Sequence, residues 1–191
     1  MSVALQGAIS QGILWGIMVL GVFITFRLLD IPDMTVDGSF ALGGSVVAVF
    51  IVNAHVHPVV AILAGMVAGG LAGAITGVLT TVFEIPAILA GILTQISLWS
   101  INLRIMGKSN TPLLANDTIF SDASRLTGLP QSTVSALMGI IIAIVIVAVL
   151  YWFFGTEIGS ALRATGNNED MIRALGVNTN RTKMIALVLS N

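Results

Sequence analysis

The chain has 191 residues, 56% hydrophobic and only 9% charged, with a mean hydropathy of +1.00. A soluble domain carries roughly 25% charged residues, so this composition excludes a water-soluble surface and points to an integral membrane protein. With a net charge of −1 and no cysteine, nothing indicates a nucleic-acid partner, a disulfide frame or a thiolate metal site.

The apolar runs do not alternate as barrel strands would. Lipid forces every backbone group to pair within its own segment, so the spans are helices. Charge-free windows place span one at 8–26, span two at 38–53, span three at 58–83, span four at 86–103 and span five at 134–154, with a sixth beginning near Thr182. The N-terminus lacks the basic region and small-residue cleavage site of a signal peptide. The final MIALVLSN opens an apolar segment that ends well short of the about 20 residues a span needs. A fragment, or an incomplete last helix, is therefore expected. Lys and Arg set orientation. With the N-terminus outside, the inner side holds Arg27, Arg163, Arg173, Arg181 and Lys183, against Arg104, Lys108 and Arg125 outside. The fold expected is an all-α integral membrane protein, a polytopic helical bundle of five complete spans plus the start of a sixth, N-terminus outside.

Between spans one and two lie Asp30, Asp33 and Asp37. A carboxylate at the bilayer centre costs about 2.5–3.5 kcal/mol or more, which places them at the interface. Asp37 or Thr35 is expected to cap span two, with Arg27 offsetting one charge; the alternative is a role in gating or coupling. His55 and His57 fall in an outer turn before Pro58 without a third ligand, and no spacing in the chain demands a metal. Span three carries Gly65, Gly69, Gly73 and Gly77, a small-residue face that lets another backbone approach closely, within one subunit or between two. Gly12 and Gly16 give span one a shorter version. In span four, Gln95 and Asn102 are seven residues apart and nearly share a stripe, whereas Gln95 and Ser97 face about 200° apart. Interhelical hydrogen bonding and pore lining are both open to them, and Trp99 can be an interface anchor or a pore wall. Loop 106–132 faces outward and has room for a short helix.

The polar island 155–183 carries Arg163, Arg173, Arg181 and Lys183. Gly166 suits the left-handed position after a helix end. Asn167 or Asn168 is a good N-cap, with Glu169 and Asp170 in the first turn where the dipole favours acids. Gly176 ends that helix, at about 168–175, and Asn178 or Thr179 caps the next. A helix of about eight residues is unstable alone in water and needs a surface to pack on. The spacing leaves two readings open, an ordinary basic loop or a docking helix.

Arg163-Ala164, Ala174-Leu175-Gly176-Val177-Asn178 and Arg181 resemble the cytoplasmic loop of permeases of bacterial ABC importers, in the branched-chain amino-acid and ribose-type permease family. Asp33-Met34-Thr35-Val36-Asp37-Gly38-Ser39 followed by Ala41-Leu42-Gly43-Gly44 resembles that family's segment between its early spans. The resemblance covers most of residues 8–191. It implies one transmembrane permease domain over 1–191, incomplete at its C-terminus, in a bacterial cell membrane. It implies a cytoplasmic coupling loop at 155–183 that contacts an ABC ATPase through Arg163, Ala164, Asn168, Glu169, Arg173, Ala174, Leu175 and Gly176. Asp33, Thr35, Asp37, Ser39, Gln95 and Asn102 are candidates for the translocation path. Further implied partners are an extracytoplasmic solute-binding protein and a second permease subunit, in a homo- or heterodimer. The chain has no GxxxxGK[ST] loop, so ATP belongs to another subunit and no cofactor of its own is expected. The function expected is import of a small polar solute, an amino acid, aromatic or branched-chain. The alternative is a secondary transporter or channel, which usually places ionisable or helix-breaking residues mid-span.

Overall fold

The computed structural model describes residues 3–113, 118–128 and 130–191, and among these the secondary structure is entirely helical. Residues 114–117 and 129 of the expected outer loop lie outside the described residues. Helix α1 (Val3–Phe23) runs on as a π-helical turn, Ile24–Leu28. It is followed by α2 (Thr35–Val52), α3 (Pro58–Thr81), α4 (Ala87–Met106), the short α5 (Ile119–Thr127) and α6 (Gln131–Phe154). The polar island then folds as α7 (Glu157–Asn167) and α8 (Glu169–Ala174), and α9 (Thr179–Ser190) follows. Among the described residues, five segments are long and apolar enough to cross a membrane: Gly7–Leu28, Thr35–Val52, Pro58–Thr81, Ala87–Met106 and Gln131–Phe154.

Proline places several helix starts. Pro58 occupies the first turn of α3 behind His57, whose Nδ1 accepts from Val59 N, and Pro86 and Pro130 immediately precede α4 and α6. Its fixed φ is pre-set for a helix start and its missing N–H is no loss there. The spans reach further than charge-free windows allow. α2 starts at Thr35 with Asp37 in its first turn, and α4 continues to Met106 with Arg104 in its last turn. Both charges sit where the helix dipole favours them. α9 likewise begins at Thr179 rather than Thr182, so its first turns belong to the polar island.

α2 packs against α3 and α4 through Leu42, Ala72 and Leu98, with Val46 and Ala68 beside them. α6 lies on α1, with Gly139 against Ile13, and turns Ile141, Ile144 and Val145 outward. Rows of exposed aliphatic side chains of this kind suit a lipid-facing surface. A second core joins Leu29, Leu162 and Ala186 with Leu28, Ile31, Phe153 and Phe154. It fastens α7 and α9 to the junction of α1 and α2, so the polar island and that junction share one end of the bundle.

The glycine face of α3 is occupied within the chain. Gly69 and Gly73 lie against the carbonyls of Asn191 and Leu187, Gly77 against Met184, and Gly65 against Gly43 and Val47 of α2. Gly12 and Gly16 of α1 have no neighbour in reach. Gly166 departs from expectation. It is helical within α7 rather than left-handed beyond a helix end, and its missing Cβ is where the Leu28 carbonyl sits. Tertiary approach, not backbone handedness, requires glycine there.

Candidate functional site

Two groups of side chains stand out. The first is the polar island. Asn168 Oδ1 accepts from Met171 N at 3.0 Å and starts α8; Gly176, at φ +87°, follows its end, and Asn178 Oδ1 accepts from Arg181 N to start α9. α8 has only six residues, too few to stand alone. It is held by Ile172, buried against the protein, and by Glu169, which receives Arg173 Nη2 at 2.8 Å and Lys183 Nζ at 2.6 Å. Arg173 Nη2 also reaches Thr179 Oγ1 at 3.3 Å. Met171, Ala174 and Leu175, at helical spacing, all face outward, with Leu175 68% exposed. Arg163 is exposed and Ala164 half-buried one helix earlier. The island thus shows solvent a small apolar face on a helix tied to α9 by the Glu169–Lys183 ion pair and the Arg173–Thr179 hydrogen bond. Met171 and the Lys183 tie are not apparent from capping signals, although Met171 lies three residues before Ala174 on the same face.

The Lys183 ammonium hydrogen-bonded to Glu169 holds its carboxyl below the ordinary 4.5, helped by the charge of Lys183, by Thr179 and by Arg173 and opposed by partial burial. A carboxylate with a lowered folded value contributes stability above its unfolded value and loses it as pH falls through the folded one. The tie is therefore present at neutral pH and is released only below 4.5. An NMR titration of Glu169 is expected to show a midpoint under 4.5, and Lys183→Met to move it upward. A midpoint unmoved by Lys183→Met would show that the tie does not form in solution.

The second group lies between the helices. Asp33, Thr35 and Ser39 are each no more than 2% exposed. Asp33 Oδ1 accepts from Thr35 N at 2.8 Å, and Asp33 Oδ2 accepts from Asn191 Nδ2 at 2.9 Å. Ser39 Oγ donates to Asn191 Oδ1 at 2.7 Å. The Thr35 and Thr76 hydroxyls are 2.8 Å apart, and Thr76 donates to Thr94 at 3.0 Å, linking α2, α3 and α4. Two expectations are corrected here. The acceptor at the start of α2 is Asp33, because the helix begins at Thr35 and the carboxylate two residues earlier reaches the free N–H. Asp33 is also not at a wet interface. Thr35 meets Thr76, which in turn meets Thr94, about two turns inside the ends of α3 and α4, roughly 7–10 Å, so the start of α2 is recessed into the bundle. Asp30, exposed at φ 55°, stays at the turn, and among the described residues no ion pair joins Arg27 to any of the three acids.

One turn along α2, Asp37 Oδ2 accepts from Gln95 Nε2 of α4 at 3.0 Å. Asp37, Gln95 and Asn102 border one cavity of about 270 Å³ with Ser45, Trp99 and Met106. Gln95 and Asn102 share its wall as their spacing predicts, while Ser97 bonds back to the Leu93 carbonyl. Asn102 is 6% exposed, and its Oδ1 is buried with no hydrogen-bond partner among the described residues. Native structures leave few such groups unsatisfied. The six path candidates therefore divide in two, with Asp33, Thr35 and Ser39 in a buried lock and Asp37, Gln95 and Asn102 around a cavity. Thr76 and Asn191 complete the lock, and no motif in the sequence marks them.

Residues 4–191 match the family described as branched-chain amino acid transport system, permease component. A tyrosine transport system permease protein of Clostridioides difficile (strain R20291) is 40% identical over 182 residues, covering 95% of this chain and 58% of that protein. An uncharacterized protein of Rickettsia prowazekii (strain Madrid E) is 33% identical over 185 residues, covering 96% of this chain and 62% of that protein. The chain spans about three-fifths of the length of these curated relatives. No solved structure matches.

Proposed function

The chain belongs to the family of branched-chain amino-acid transport-system permease components, a multi-pass protein of the bacterial plasma membrane, and from that premise we propose that it forms the solute path of an ATP-driven importer. In this reading the N-terminus is outside, α8 docks on a separate ABC ATPase, and an external binding protein delivers the solute to a dimer of permease subunits. ATP is bound by the ATPase, and this chain needs no cofactor of its own. The observation that carries the proposal is α8 itself. A six-residue helix is tied to α9 while Met171, Ala174 and, just past its end, Leu175 face solvent, an arrangement that serves a partner surface and costs exposure without one. Arg163 and Arg173 are exposed as well, and Ala164 is half-buried.

The solute we propose is an aromatic amino acid, as the name of the Clostridioides difficile relative indicates for that protein. The cavity supports this reading with a carboxylate for an ammonium group, an amide at Gln95 and the ring of Trp99. The test is reconstitution with the ATPase and binding protein in liposomes. Tyrosine uptake is expected to require ATP, and Gln95→Leu, which strips the partner from Asp37, to slow it by about tenfold, the loss of one charge-assisted hydrogen bond of about 1.5 kcal/mol. Uptake driven by an ion gradient without ATP would instead establish a secondary transporter.

A further inference from the structure

We propose that Asn191 and Asp33 form the joint through which movement of α8 reaches α2 and the cavity beyond it; the proposal rests on the reading of the chain as an ATP-driven permease. The route is continuous in named contacts. At one end Lys183 and Thr179, in the first turns of α9, hold Glu169 and Arg173 of α8. α9 then lies on α3 with backbone against backbone, the Leu187 and Asn191 carbonyls on Gly73 and Gly69, while the Ser190 carbonyl meets Gly21 of α1. Contacts without an intervening side-chain layer leave nothing soft to absorb a displacement. A push on α8 is therefore passed from Thr179 to Asn191, about 18 Å along α9, rather than dissipated at its start.

At the far end Asn191 grips α2 twice. Its amide nitrogen donates to Asp33, which in turn accepts from Thr35 N, and its oxygen accepts from Ser39 one turn further on. Among the described residues, Asn191 makes every side-chain hydrogen bond that joins α7, α8 or α9 to α2 or to the turn before it. Asp37, between those two grips, carries the bond to Gln95 at the cavity wall. Hydroxyl, amide and carboxylate can exchange partners between two arrangements, which the glycine contacts cannot do. The cluster is thus the place where a shift of α9 becomes a shift of α2.

In liposomes holding the complete transporter, solute uptake and ATP hydrolysis are to be measured together. Asn191→Leu is expected to lower solute moved per ATP by about fivefold or more, with hydrolysis within about twofold of wild type, the size of an ordinary coupling free energy. The exchange Asp33→Asn with Asn191→Asp, which reverses donor and acceptor in the 33–191 bond and leaves Ser39 donating to residue 191, is expected to restore the ratio. An unchanged ratio, or uptake and hydrolysis falling together as they would for a merely structural contact, overturns the joint. If Asn191→Leu does not assemble, Ser39→Ala removes a single bond and is read by the same ratio and the same two outcomes. Wild-type transporter without ATP-dependent uptake overturns the functional reading and the joint with it; ATP-dependent uptake with an unmoved ratio overturns the joint alone.

Discussion

Replacing Ala174 by tryptophan is expected to reduce solute-stimulated ATP hydrolysis of the assembled transporter at least about tenfold while leaving the permease folded. Ala174 closes α8 and is exposed, so a larger side chain there meets solvent and not the protein's own core. Ile172, which faces inward, and Glu169, which holds Lys183, are untouched. A partner surface shaped for an alanine beside Met171 and Leu175 must then open by a whole indole. Central interface positions commonly cost about 2 kcal/mol or more when disturbed, hence the tenfold floor. Gly176 is a less clean position, because its φ of +87° strains any side chain and confounds folding with docking. The measurement is solute-stimulated ATPase activity together with co-purification of the ATPase subunit. Normal stimulation in Ala174→Trp would remove α8 from the coupling route, whereas Ala174→Ser is expected to behave as wild type.

Gly73→Val is expected to be strongly destabilising. A Cβ at Gly73 would overlap the Leu187 carbonyl and press on the Asn191 side chain, and the first of these is backbone that cannot rotate away. α9 must lift from α3, which breaks the packing of Leu187 and Ala186, both fully buried, and draws Asn191 from Asp33 and Ser39. Overpacking alone costs about 1–3 kcal/mol, and the lost burial of an aliphatic side chain adds roughly 1.5–3 kcal/mol. A total of about 3–5 kcal/mol lowers the melting midpoint of a domain this size by on the order of 10 °C. Gly12→Val is the control, since nothing lies within 4 Å of a Cβ there, and it is expected to change stability by no more than about 0.5 kcal/mol. Melting in detergent separates the two. Equal midpoints for both variants would mean that α9 does not seat on α3 as described.

What could be read before the fold was known follows the range of the interaction. Asn168 starts α8, and Gly176 with its left-handed backbone follows the end, because caps act over three or four residues. The shared wall of Gln95 and Asn102 follows from the helical repeat alone. The glycine face of α3 shows a close approach in the sequence but not its occupant, which proves to be α9 and α2 of the same chain. The cost of a carboxylate deep among helices predicts an interfacial Asp33, and the sequence does not show that Asn191, 158 positions away, supplies a hydrogen-bond donor. Gly166 was read from backbone preference, yet it is glycine because Leu28 comes up against it.

Composition and hydropathy by themselves determine a helical membrane protein, with five complete spans and the start of a sixth read from these residues, since the demand for internal backbone pairing in lipid is met residue by residue along each segment. Local capping determines that the polar island contains a short helix. Only the tertiary structure decides that this helix turns Met171, Ala174 and Leu175 outward, that α9 fills the glycine face, and that Asp33 is locked to Asn191 beneath a cavity bordered by Asp37. These are contacts between segments far apart in the chain. They depend on how the helices are brought alongside one another, which no period or motif within a single segment encodes.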